Sequence, residues 1–199
     1  MNRERWLMEC IEKLRPMFLN ADFDLPEKIP ASCSWPSKSG LAVKKRRIGE
    51  AWSSENSGDH SCEIFISPVL KDPVEVLAVL VHELCHCAVG VEAGHKGKFP
   101  KCAKALGLEG KMTETVAGEN LKEQLQAVAD EVGKYPHAEL THSTNPKKQT
   151  CRQLKVICED CGCICRMSRK AIDEVGCPTC ACGGQMNESE PEESEDGDE

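Results

Sequence analysis

The stretch HELCHCAVGVEAGHKGKF, beginning at His82, constrains this chain more than any other feature. It reads H-E-x-x-H, followed by a third histidine just beyond a glycine pair. On a helix, His82 and His86 project from one face, close enough for two ring nitrogens to reach one metal ion at about 2.0–2.1 Å. Glu83 lies one residue further round, placed to act as a general base on water. The preceding residues, DPVEVLAVLV, predict that this helix is buried. Asp72 reads as its N-cap, Pro73 as the first helical residue and Glu75 as the capping-box carboxylate. Val74, Leu77, Leu80, Val81 and Leu84 supply an apolar face. Gly90 and Gly94 end the run, so His95 returns as a candidate third ligand. A catalytic zinc needs three protein ligands and one open position. Two other readings compete: histidines satisfied within a core, and a structural zinc closed by Cys85 or Cys87.

Fourteen cysteines are many for 199 residues. The charged, amphipathic start, MNRERWLMECIEKLRPMFL, has neither a secretory leader's apolar core nor a cleavage site, and no run suits a membrane span. The expected compartment is the cytoplasm, where thiols stay reduced and clustered cysteines serve as metal ligands rather than disulfides. Cys158 and Cys161 form one C-x-x-C pair, Cys177 and Cys180 another. Together they predict a four-sulfur zinc site in a ribbon that needs the metal to fold. Cys182 is an alternative to Cys177, whereas Cys163 and Cys165 read as bystanders.

The net charge of −8 is concentrated at the end of the chain. The closing NESEPEESEDGDE carries eight acidic residues and no basic one; the rest is neutral. Such a tail is expected to stay disordered. The organisation that follows is a domain over 1–140, a linker over 141–150, a zinc ribbon over 151–186 and an acidic tail over 187–199. The fold class is α+β: helices packed with a small antiparallel sheet around the metal, then a β-rich ribbon. Helices are expected from Trp6 to Phe18, bent near Pro16, from Pro73 to Val89, from Lys98 to Leu106 and from Thr113 to Val132. Strands are expected near Lys45–Trp52 and Glu63–Ser67. The loop between them carries an exposed His60. Tyr135 and His137 are candidates for oxyanion stabilisation, with packing as the simpler account. The strand holding Ile64, Phe65 and Ile66 is a candidate edge for an extended substrate.

The motifs SCSWPSK, RRIGEAW, EIFISPVL, HELCHCAVG, GHKGKF, LGLEG and YPHAEL, with the C-terminal ribbon, resemble the SprT-like zinc metallopeptidases, the family of the eukaryotic DNA-repair protease Spartan. The likeness spans roughly residues 5 to 185 and is nearest to the short forms of bacteria and their viruses. The resemblance implies a zincin-like domain, a catalytic Zn2+ on His82, His86 and His95, Glu83 as general base, and a second, structural Zn2+ in the ribbon. It also implies hydrolysis of peptide bonds in DNA-associated proteins. A competing function is nucleic-acid binding by the ribbon on a non-catalytic scaffold, motivated by Arg152, Lys155, Arg166, Arg169 and Lys170, with Lys44–Arg47 and Lys147–Lys148 as further basic clusters. Another zinc hydrolase, such as an amidase, also fits the motif. No membrane partner is expected.

Overall fold

The computed structural model describes residues 1–42, 44–141 and 153–189. The chain is mixed α+β and forms two compact units, Met1–His142 and Ser143–Glu199. The expected linker, with His142, Lys147, Lys148, Cys151 and Arg152 nearby, lies outside the described residues apart from Thr141. Among the described residues, no helix is long and apolar enough to cross a membrane.

In the first unit, α1 (Arg3–Asn20) opens on Asn2, whose side chain accepts from the Arg5 N–H at 2.8 Å. Trp6, Leu7, Cys10, Ile11, Leu14 and Phe18 recur at helical spacing and are all buried. Strands β1 (Ala31–Cys33), β2 (Gly49–Trp52) and β3 (Glu63–Ile66) form a sheet in the order β1-β3-β2. Alternation along β3 sends Ile64 and Ile66 into the core, while Phe65 lies near Trp52 on the other face. The sheet departs from expectation twice. It is mixed rather than antiparallel, because β1 runs parallel to β3. The strand holding Ile64–Ile66 is central, paired on both sides, so it offers no edge to a substrate.

Helix α2 (Pro73–Val89) has the expected bounds. Asp72 caps it by accepting from the Glu75 N–H at 2.9 Å, and Gly90 ends it. Its apolar side packs among α4, α3, β2 and β3, and Val76, Leu77, Leu80, Val81 and Leu84 are buried. Helix α3 (Phe99–Ala105) follows. The helix expected from Thr113 starts later. Residues Leu108–Lys111 (β4) and Glu114–Ala117 (β5) form an antiparallel hairpin, and α4 spans Glu119–Val132 with Gly118 at its N-cap. Val116, inside the span expected as helix, is therefore 59% exposed on a strand. Leu121 and Leu125 are buried as expected.

The segment after α4 is bound to the body. Trp6 donates to the Gly133 carbonyl at 2.7 Å, and its ring meets Tyr135 at 4.7 Å. His137 donates through Nε2 to the Pro68 carbonyl at 2.9 Å, while its Nδ1 faces Arg3.

The second unit has strands β6 (Leu154–Cys158), β7 (Ile164–Met167) and β8 (Met186–Glu188) in the order β7-β6-β8, with α5 (Arg169–Val175) between β7 and β8. Its buried core is three residues, Val156, Cys158 and Met186, too small to hold a fold without help. Asn187 and Glu188, assigned from sequence to the disordered tail, pair with Ile157 and Val156 instead.

Candidate metal centre and its cleft

Burial of α2 brings His82, Glu83 and His86 to one place. Beyond Gly90, a single 3-10 turn over Val91–Ala93 reverses the chain and returns His95 to the same point. One nitrogen from each of the three imidazoles lies within 4.8 Å of the others. His82 Nε2 and His95 Nε2 are 3.1 Å apart. Two nitrogens each about 2.05 Å from a tetrahedral ion would sit roughly 3.3 Å apart, so the spacing suits zinc. Phe99, fully buried, lies against all three rings, with centroid separations of 5.0, 4.3 and 5.0 Å for His82, His86 and His95.

The electrostatics favour neutral imidazole, the ligating form. Burial, then the His95 charge, brings His82 down to about 4. Burial, then His82, His95 and Arg47, brings His86 down to about 3. His95 is lowered by burial and by Arg47. His82 Nδ1 lies 2.7 Å from Thr115 Oγ1 on β5, which leaves Nε2 to face the site. His86 Nδ1 is buried with no hydrogen-bond partner, so this is not a histidine satisfied by the core.

No thiol joins the three imidazoles among the described residues. Cys87 is joined to Cys62 in a disulfide with Cα atoms 6.0 Å apart, and Cys85 hydrogen-bonds with Cys102 in the core. Neither fills a fourth corner. The disulfide also corrects the expectation that every thiol here is free: Cys87 pairs with Cys62, the residue before β3, and not with the metal site.

Glu83 is buried beside the triad. Burial pushes its carboxyl up to about 8, against the pull of Arg47 and of the Ala51 backbone N–H, with the nearby Glu50 charge pushing it further. Gly49 makes room for it: a Cβ there would strike the Glu83 carboxylate and Val79. The residues converge on a cleft of 750 Å³, walled by Lys45–Ala51 on one side of the sequence and Thr113–Thr115 on the other.

Several contributors escaped sequence reasoning. Glu50, only 8% exposed, accepts from the Ser37 N–H (2.7 Å), Ser37 hydroxyl (2.8 Å), Arg47 Nη1 (2.7 Å) and Trp52 Nε1 (3.1 Å). Burial alone would raise its pKa, yet these four donors leave it below the usual carboxylate value. The SCSWPSK and RRIGEAW segments thus meet on one carboxylate. Thr115 and Phe99 were also missed, because each depends on a contact between distant elements. Tyr135 and His137 pack against Trp6 and Pro68 and do not line the cleft. His60 is exposed, as expected.

In the second unit, the thiols that converge are Cys158, Cys161, Cys180 and Cys182. Cys177 is not among them, which corrects the expected pairing. Cys158–Cys182 and Cys161–Cys180 sulfurs are each 3.5 Å apart, close to the roughly 3.8 Å of a tetrahedral four-sulfur zinc site. The reason lies in the turns. Gly162 and Gly183 take φ +70° and +93°, and each directly follows the second cysteine of its pair. This left-handed glycine lets the chain fold back, with the Gly162 N–H donating to Cys158 O and the Gly183 N–H to Cys180 O. Cys-Gly was the available signal, and Cys180 lacks it. Cys177 follows α5 and packs on the small core with Val156. The Cys182 backbone N–H, ahead of the neighbouring thiols, holds the Cys180 thiol down at about 7. Of the ribbon's basic residues, Arg169 pairs with Glu188 and Lys170 with Glu174, while Lys155 and Arg166 are cross-strand neighbours.

Comparison with family models, curated proteins and solved structures returns no match to this chain.

Proposed function

We propose that the first unit is a zinc-dependent peptidase with a zincin-like architecture, and that the ribbon holds a second, structural zinc. The observation that carries this reading is the convergence of three imidazoles and the buried Glu83 carboxylate on one cleft, with no thiol joining them among the described residues. His82, His86 and His95 would hold a zinc ion, which would supply Lewis acidity toward a carbonyl and toward water near neutral pH. Glu83 takes the proton from the attacking water and delivers it to the leaving nitrogen. Its position beside His82 and its raised proton affinity suit both transfers. Thr115 holds the His82 ring, and the buried Phe99 ring packs against all three imidazoles.

Strand β2, not β3, provides the place for an extended substrate. The Ser67 N–H donates to Ile48 O, so the intervening Gly49 and Ala51 turn their backbone groups away from β3. Both residues line the cleft. The Ala51 N–H of this edge donates to Glu83, so a peptide laid along β2 would run past the carboxylate proposed as the base.

The resemblance to SprT-like peptidases supports this reading through the same residues, and adds DNA-associated proteins as a substrate class. The ribbon as a DNA-binding element belongs to the same proposal. So does a cytoplasmic setting, which requires the Cys62–Cys87 pair to withstand a reducing environment. The test is metal analysis coupled to digestion of casein. Wild-type protein should hold zinc and cleave; His86→Ala should lose the cleft zinc; Glu83→Gln should keep zinc and lose cleavage. Turnover retained in Glu83→Gln would remove Glu83 from the mechanism.

A further inference from the structure

The proposed chemistry uses Glu83 and the histidines but leaves the basic run Lys44–Arg47 without a purpose. Three of its members, Lys45, Arg46 and Arg47, line the same cleft as the triad. They are not equivalent. Arg47 is committed to the buried Glu50 at 2.7 Å. Arg46 is half-buried, and its Nε–H donates to the Ala42 carbonyl at 2.9 Å. That bond holds the guanidinium plane while leaving its Nη edge as a fork for a carboxylate. Lys45 is exposed and takes φ +50°, a conformation lysine rarely adopts. Neither Lys45 nor Arg46 has a carboxylate partner among the described residues.

We infer that Lys45 and Arg46 form a carboxylate-binding wall, and that the segments this cleft accepts are peptides with acidic side chains flanking the bond to be cleaved. The inference deepens the peptidase reading and rests on it for cleavage, but not for binding. Once Glu50 is set against Arg47, the wall carries two unpaired cations, and the hairpin contributes one carboxylate, Glu114. A peptide can place one or two carboxylates against the wall and keep them clear of Glu83 and Glu114. A nucleic-acid backbone presents its charges continuously and meets both carboxylates in the same cleft, so the peptide is the better match.

Zinc-loaded Glu83→Gln protein, unable to turn substrate over, is titrated with two fluorescein-labelled peptides identical except for a Glu-Glu or Gln-Gln pair at their centre. The acidic peptide should bind about tenfold more tightly at low salt, with the preference shrinking as salt rises. Lys45→Gln with Arg46→Gln, added to the same protein, should bring the ratio near one while zinc content and melting temperature stay unchanged. Equal affinities in the starting protein, no measurable binding of the acidic peptide, or a preference that survives the double substitution would each overturn the inference. So would an oligonucleotide that binds the wall where the two peptides cannot be told apart. Failure of the peptidase reading looks different: the acidic peptide binds selectively, yet zinc-loaded wild-type protein never cuts it.

Discussion

The sharpest test of the site's geometry is Gly49→Ala. A Cβ built at this position lies 2.5 Å from Val79 Cγ1 and 3.0 Å from Glu83 Cδ, and still nearer to one Glu83 carboxylate oxygen, whereas ordinary contact begins near 3.4 Å. Val79 is β-branched on a helix and has essentially one rotamer, so it cannot step aside. Glu83 is buried and held by the Ala51 N–H, so relief requires its carboxylate to move by roughly 1 Å or β2 to shift. Overpacking of this kind costs about 1–3 kcal/mol, which for a unit of this size lowers the melting temperature by roughly 3–10 °C. Moving a general base by about 1 Å costs hydrolysis about a hundredfold. The three imidazoles are untouched, so zinc content should not change. Differential scanning calorimetry, metal analysis and peptide turnover on the same sample measure all three. Gly58→Ala is the control: nothing lies within 4 Å of a Cβ there, and its effect should stay within about 0.5 kcal/mol. Wild-type melting and wild-type turnover in Gly49→Ala would show that Glu83 does not sit against β2, and the assignment of its role would fall with it.

Other expectations follow from single contacts. Thr115→Val removes the partner of His82 Nδ1 and should weaken zinc binding at the cleft by about 10- to 100-fold, read by competition with a chelating dye. In the ribbon, Cys182→Ser should release the structural zinc and Cys177→Ser should not; the reverse result would restore the pairing first expected from sequence. Glu50 titrates below its ordinary value in the folded chain, so its contribution is complete above the unfolded carboxylate pKa of about 4.3 and is lost as pH falls through the folded value. The melting-temperature gap between wild type and Glu50→Gln should therefore be widest near neutrality and close on acidification. The Cys62–Cys87 bridge spans a sequence separation of 25 and should contribute about 3 kcal/mol, so a reductant should lower the melting point of wild type but not of Cys62→Ser.

Local signals in the chain were dependable where one element carried the whole pattern. Helix α2 is such a case: an N-cap, a proline at the first turn, an apolar run and a terminating glycine all lie within one stretch, and the expected bounds match. The same stretch holds two of the three histidines at helical spacing, with the third one turn beyond. The hairpin's second strand, Glu114–Ala117, falls where a helix is expected from Thr113, because Val116, Leu121 and Leu125 also suit a helical period; pairing with a neighbouring strand is invisible to a periodicity.

Sequence alone determined which residue types could ligate metal and which helix would carry them, since spacing along a regular element converts directly into direction in space. Tertiary structure decided everything that depends on two separated segments meeting: β1 parallel to β3, Glu50 closing over Ser37 and Arg47, Thr115 reaching His82, and Cys87 leaving the metal face for Cys62. It also chose Cys182 over Cys177, since the turn after a cysteine, and not the count of residues between cysteines, aims the sulfur. The physical reason is common to all of these. Long-range contacts are selected by burial and close packing of the whole chain, and no single stretch of it contains that information.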